Sequence, residues 1–264
     1  MTRPQEGWDA SRLVEWLVAS LENVESVEIL AFHPAASLVK RTGHQDRDYR
    51  LTPSMAPADS LWFPKHQAVM IDLVEHGFMS CEFLSKAVWH DENGGDTVRE
   101  TVKRTEFHRR RLEEFAARHP QWILAMSSKV RLRSGETRHL PLLDFQCPAA
   151  KSTYLAAVVD ALRAIGQTEG AVLESGNSFH YYGFQLLPVD RWHWFVGKCL
   201  LLSPLSDTRY LGHRLIAGES ALRISLDPSR PIPKVVALLR PAKLSPADAE
   251  ERLGRADEAE GHEE

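Results

Sequence analysis

With 264 residues, 43% of them hydrophobic and 26% charged, the chain has the make-up of an average globular protein, which excludes a fibrous or wholly disordered one. Its formal net charge of -4 gives no global attraction to nucleic acid, so any polyanion site must be a local gathering of Lys and Arg. Three cysteines, Cys81, Cys147 and Cys199, are too scattered for a zinc site or a disulfide framework and suit small core residues in a reducing compartment. No charged leader precedes an apolar run and no stretch of roughly 18 apolar residues occurs, so a cytoplasmic protein outside the membrane is expected.

Asp9-Ala10-Ser11 before Leu13, Val14, Leu17 and Leu21 predicts a capped amphipathic helix ending near Asn23. Val27 to Phe32 alternates and meets His33-Pro34, which predicts a short strand. Residues 41–59, broken by Pro53 and Pro57, read as a loop, and Val69, Met70, Leu73 and Val74 support a helix over Pro64–Phe78. Cys81–Trp89 fits helix or strand, and residues 91–96 form an acidic turn around Gly94-Gly95. Thr97–Arg118 reads as one helix whose basic face is either solvated or in contact with a nucleic-acid backbone.

From Trp122 onward the pattern changes. Trp122–Met126 and Lys129–Arg133 predict strands, Ser134-Gly135 a hairpin turn, and Leu140–Phe145 an apolar strand ending in an acid. A helix follows over Pro148–Ile165. Strands are predicted at Ala171–Glu174, Phe179–Leu187 and Trp194–Leu202, then a helix at Asp207–Ala217, a strand-like run at Leu222–Ser225 and an apolar run at Val235–Leu239. Trp192, Trp194 and Phe195 are either core or an aromatic contact surface. This order predicts an α+β fold: an antiparallel or mixed sheet, close to the RNA-recognition (RRM-like) type, with helices on one face. The expected division is an N-terminal, mostly helical α/β subdomain over 1–120, a sheet subdomain over 121–240, and an acidic, partly disordered tail over 241–264.

Three short stretches carry chemistry. Asp144 ends a leucine-rich strand, where a carboxylate is costly unless it is paired, bound to metal or capping the next helix. Ser178 and His180, two apart on an extended strand after a Ser-Gly-Asn turn, share a face and can both donate to phosphate oxygens, unless His180 is a core histidine. Asp207 opens Asp-Thr-Arg-Tyr, either as a helix cap or as a second site acid, with Arg209 beside it. Arg223, between Leu222 and Ile224, is placed to clamp phosphate.

Together, Leu-Leu-Asp144-Phe-Gln146, Ser178-Phe-His180, Ser206-Asp207 and Leu222-Arg223-Ile224-Ser225 resemble the motifs of the archaeo-eukaryotic primase superfamily over Trp122–Ser225. Gln146 stands where the family's second acid belongs, which resembles the single-aspartate, primase 1D-like branch. The resemblance implies a metal-dependent nucleotidyltransferase. Asp144, Asp207 and His180 would be catalytic. Asp144, Asp207 and Gln146 would hold Mg²⁺ or Mn²⁺, and Ser178, His180, Arg209 and Arg223 would hold the nucleotide. Nucleoside triphosphates and single-stranded or template nucleic acid are the implied partners. Gln146 brings no charge to offset a dication, so the same resemblance leaves open a degenerate nucleotide or nucleic-acid binding module, with protein partners in a multi-component defence system.

Overall fold

A computed structural model describes residues 2–33, 97–225 and 230–241. The loop expected at 41–59, the helix at 64–78, the ambiguous run at 81–89, the turn at 91–96, Cys81 and the tail past residue 241 lie outside these residues. The fold is α+β, with antiparallel strands throughout.

Helix α1 (Ala10–Ser20) starts where Asp9 accepts a hydrogen bond from the Arg12 backbone N–H at 2.8 Å, and it buries Leu13, Val14, Leu17 and Val18. Its last carbonyls are capped by a cation from elsewhere: the Arg104 guanidinium donates to the oxygens of Val18 and Ala19. Strand β1 (Val24–Phe32) follows and is flanked by β2 (Thr97–Lys103) and β3 (Ile123–Leu132). The single helix expected over 97–118 is therefore split, and only a 3₁₀ turn at Arg104–Glu106 and α2 (Arg109–Arg118) are helical. The β-branched residues Thr97, Val98, Thr101 and Val102 favour extended backbone once β1 offers an edge to pair with. Charges on α2 meet acids, Arg109 pairing with Asp9 and Glu113, Arg110 with Glu114, and Arg111 and Arg118 with Glu100. Its basic face is thus a web of ion pairs.

Strand β3 is long enough to hold two partners on one side. Its C-terminal half pairs with β4 (Thr137–His139) through the Ser134-Gly135 turn, where Gly135 takes φ 84°, and its N-terminal half pairs with β8 (Ala221–Arg223). The sheet order is β2-β1-β3-β4, with β8 beside β3. Because β1 and β3 are neighbours, this sheet runs across the division expected at residue 120.

The second sheet has the order β5-β7-β6-β9, formed by β5 (Leu142–Asp144), β6 (Gly170–Glu174), β7 (Phe179–Gly183) and β9 (Lys234–Leu239). Helices α3 (Ser152–Ala164), α4 (Val189–Leu200) and α5 (Thr208–Ala217) cover one face. There Val158, Leu162, Trp192, Phe195, Val196, Cys199 and Leu211 pack on Leu143, Phe145, Val172, Phe179 and Tyr181. The strand expected at Trp194–Leu202 is instead α4. Trp192, Phe195, Val196 and Cys199 recur at helical spacing and are all buried, while Trp194 between them is 60% exposed. Cys147 and Cys199 are buried, and burial pushes both thiols up, as core cysteines require.

The opposite face of this sheet sends Leu142, Ala171, Leu173, Tyr182 and Val235 into a core shared with the first sheet, α1 and α2. Residues 7–10 run along the outer side of β9: Gly7 N–H donates to Val235 O, Val235 N–H to Trp8 O, and Ala10 N–H to Pro233 O, each at 2.8 Å. No helix among the described residues is long and apolar enough to cross a membrane.

Candidate functional site

Period-two alternation decides which side chains reach the junction of the two sheets. On β5, Leu143 joins the helix-covered core, so Leu142 and Asp144 point the other way. Strand β7 runs antiparallel beside it, with Leu142 opposite Tyr182, Leu143 opposite Tyr181 and Asp144 opposite His180. The imidazole Nε2 lies 3.6 Å from Asp144 Oδ1. The helix-capping alternative for Asp144 does not hold, because the N-cap of α3 is Lys151 and no side chain caps it.

A short ladder brings in the second acid. Gln146 N–H donates to Leu205 O at 2.9 Å, Phe145 bridges Ser206, and Asp207 N–H donates to Asp144 O at 3.2 Å. The Gln146 side-chain amide completes the ladder, donating to Pro204 O at 3.0 Å and Ser206 O at 2.9 Å. Asp207 then caps α5, one carboxylate oxygen accepting from the N–H groups of Arg209 and Tyr210 at 3.0 Å each. Asp207 therefore caps a helix while its backbone is bonded to Asp144.

Arg223 arrives from the first sheet on β8. It is buried, and its guanidinium donates to the carbonyls of Ser175 at 2.5 Å, Ser225 at 2.5 Å and Pro231 at 2.7 Å. This arginine binds the turn between β6 and β7 to the first sheet. Tyr182 works beside it, its hydroxyl donating to Leu222 O at 3.3 Å. Ser178 lies in that same turn, held by Ser175, whose hydroxyl donates to Ser178 O at 3.1 Å. Gly176 takes φ 109° there, and a Cβ on it would press within 3.2 Å of the Arg230 side chain.

The electrostatics follow from burial and from these neighbours. Asp144 is pushed up to about 8, first by burial and then by the charge of Asp207, with Arg230 and Arg223 pulling the other way. Its side chain is 28% exposed, but Oδ1 is sealed and accepts no hydrogen bond. His180 is pushed down to about 3, first by burial and then by Arg223 and Arg230, and its Nδ1 is buried without a partner. Both groups are held in their neutral forms. An acid whose proton is retained by burial, and then by the charge of a second carboxylate, is a site a cation would relieve.

Two carboxylates suit one hard dication, since Mg²⁺ typically takes one or two carboxylates and completes its shell with water and phosphate oxygens. Among the described residues no group of three or more His, Cys, Asp and Glu converges for a larger cage. A cavity of about 610 Å³ opens elsewhere, against α2, lined by Leu112, Trp122, Leu124 and Ile224, and the site acids are not among its walls.

Of the motif residues, Asp144 faces His180 across the β5–β7 register and its carbonyl accepts the Asp207 backbone N–H, Ser178 sits in the adjoining turn, and Arg223 braces that turn. Arg209 contributes its backbone N–H to the Asp207 cap. Arg230 was missed by sequence reasoning; it belongs to no motif, and its place among three prolines gave no signal beyond its charge. The chain is matched over residues 103–236, just over half its length, by the family model described as archaeo-eukaryotic primase 1D-like.

The chain belongs to the archaeo-eukaryotic primase 1D-like family.

The family match starts at the end of β2 and reaches into β9, so it takes in β3, β4 and β8 of the first sheet, but not β1, together with most of the second sheet and every residue of the Asp144 site named above. No curated protein and no solved structure gives a match to the sequence. Within this primase-like chain, Gln146 is engaged through its amide nitrogen, and the family's expected second acid has no carboxylate counterpart at that position.

Proposed function

We propose that the chain is a primase-type nucleotidyltransferase that binds a nucleoside triphosphate with one divalent cation, Mg²⁺ or Mn²⁺, at the junction of its two sheets. On this reading the four-stranded sheet with α3, α4 and α5 stands for the RRM-like half. The observation that carries it is the ladder that sets Asp207 beside Asp144 on the strand end opposite His180.

Asp144 and Asp207 would hold the ion through hard oxygens, Asp144 giving up its proton as it does so. The ion, when bound, supplies positive charge to the phosphates and to the charge that develops at the α-phosphorus. His180, neutral and buried, offers an N–H to a phosphate oxygen without titrating near neutral pH. Ser178 offers a hydroxyl from the same turn. Arg209 stands beside Asp207, and Arg223 contributes fixed positive charge from behind the turn while its donors stay on backbone carbonyls. A 3′-hydroxyl of a single-stranded or templated chain is the acceptor; its bond to the α-phosphorus forms as the bond to pyrophosphate breaks.

The test is incorporation of labelled nucleotide on primed and unprimed templates with Mg²⁺ or Mn²⁺. Extension or initiation that disappears in Asp144→Ala is the expected result. No incorporation under either ion removes the activity.

A second reading keeps the binding and drops the chemistry: a nucleotide or nucleic-acid binding module within a multi-protein defence system. The commitment of Gln146 to two carbonyls favours it, because one carboxylate fewer weakens a second ion. Metal-dependent thermal stabilisation by nucleotide without incorporation identifies this case.

A further inference from the structure

Gln146 is the residue at which this chain departs from its resemblance, and its hydrogen bonds give the departure a physical purpose. Its backbone N–H is bonded to Leu205 O, and its side-chain nitrogen reaches across the same segment to the carbonyls on either side, those of Pro204 and Ser206. Three consecutive carbonyls, from Pro204 to Ser206, are thereby gripped by one residue. The next residue in the chain is Asp207. Ser206 is fixed from its other side as well, its hydroxyl donating to Cys199 O at 2.7 Å.

We infer that Gln146 is a positioning residue whose amide N–H groups hold the 204–206 segment and thereby set Asp207 beside Asp144, and that it is not a metal ligand. The inference rests on the reading of Asp144 and Asp207 as the carboxylate pair, but the grip itself stands on geometry alone. Donation is the decisive property. A carboxylate at position 146 has no proton to offer two carbonyl oxygens about 3 Å away, and it would face both of them as a third acceptor. Restoring an acid here would push the segment off the strand end and carry Asp207 with it. The single-aspartate motif is therefore more than a lost ligand: an added acid cannot be accommodated without undoing the placement of the acid that remains.

Two measurements on the full chain separate this inference from the proposed activity. The first needs no metal: backbone hydrogen exchange over residues 204–210 in the wild type, Gln146→Glu and Gln146→Ala. Both variants should speed exchange there by about tenfold, the effect of losing a part-buried hydrogen bond, while β6 and β7 stay protected. In the wild type, the Gln146 side-chain NH₂ protons should exchange slowly by NMR, a readout available even if a variant fails to fold. The second is Mn²⁺ titration followed by electron paramagnetic resonance. Both variants should bind Mn²⁺ about 10- to 100-fold more weakly than the wild type, as when a residue orienting a ligand is removed, with no more than one ion bound. Tighter binding or a second ion in Gln146→Glu overturns the inference, as does unchanged exchange over 204–210 in both variants. A wild type that binds no Mn²⁺ at millimolar concentration counts against the proposed activity, while the exchange result still decides the role of Gln146.

Discussion

Asp144 and His180 face each other on antiparallel strands with Nε2 3.6 Å from Oδ1, and Oδ1 and Nδ1 are both buried without a hydrogen-bond partner. Two groups with opposite acid-base character are kept neutral side by side, which leaves the pair with unmet hydrogen-bonding capacity that a bound ligand can fill.

The first prediction concerns the cost of that arrangement. Burial, and then Asp207, raise Asp144 above its usual 3.8 to about 8, so the folded state holds a proton that the unfolded chain releases. Stability from this group is therefore full below about pH 4 and declines as pH rises toward 8. Asp144→Asn should remove the decline and raise stability at pH 8 by on the order of 1 kcal/mol or more, while Mn²⁺-dependent stabilisation by nucleotide is lost. Paired melting curves at pH 5 and pH 8, with and without Mn²⁺ and nucleotide, check both halves.

A second buried histidine should act with the opposite sign. His139 stacks on Trp192 with ring centroids 4.7 Å apart, and its Nδ1 lies 3.0 Å from the Ser128 hydroxyl. Burial first and Lys129 second lower it from 6.5 to about 4, against the pull of Glu219. The unfolded chain takes up a proton here before the folded one does, so stability is full above about pH 6.5 and is lost as pH falls to 4. The contribution is up to about 3 kcal/mol. His139→Gln should be less stable at pH 7 but flatter through this window, as urea denaturation at successive pH values would show.

Arg223 should behave as a brace more than as a nucleotide contact. Arg223→Met leaves three carbonyls without their donor in a buried setting, and a loss of about 3 kcal/mol or more is expected. A variant of unchanged stability that has lost only nucleotide affinity would falsify this assignment.

Neighbouring tryptophans on α4 should differ sharply. Trp192 is fully buried, so Trp192→Ala is expected to cost roughly 3–5 kcal/mol. Trp194 is 60% exposed with the Lys198 ammonium 4.1 Å from its ring centre, and Trp194→Ala should stay within about 1 kcal/mol. Denaturation midpoints of the two variants separate them directly.

Local signals carried a good part of this structure. The Asp9 cap, the Ser134-Gly135 hairpin, the helix after Pro148 and the start of α5 at Asp207 each depend on residues close together in the chain, and each stands where its pattern indicated. The two strands expected at Trp122–Met126 and Lys129–Arg133 are one continuous strand, β3, while β2 and α4 differ in type from what their patterns predict, for related reasons. Thr97–Lys103 becomes a strand only because β1 is there to pair with it, and the aromatic run after Trp192 resembles a strand until Trp192 and Cys199 are counted into its period. At the site, residue types were legible and directions were not. That His180 faces Asp144 depends on the β5–β7 register, that Arg223 points inward depends on β8 pairing with β3, and the grip of Gln146 depends on a segment that no local pattern ties to it.

The strip of residues 7–10 bonded along β9 has a bearing on how the chain is made. Its partners, Pro233 and Val235, are translated more than two hundred residues later, so this segment stays unmatched until they have been made. Once bonded, it covers the β9 rim of the four-stranded sheet. Deleting residues 2–9 would leave that rim open for good and invite pairing between molecules, so self-association is the behaviour to expect of such a shortened protein.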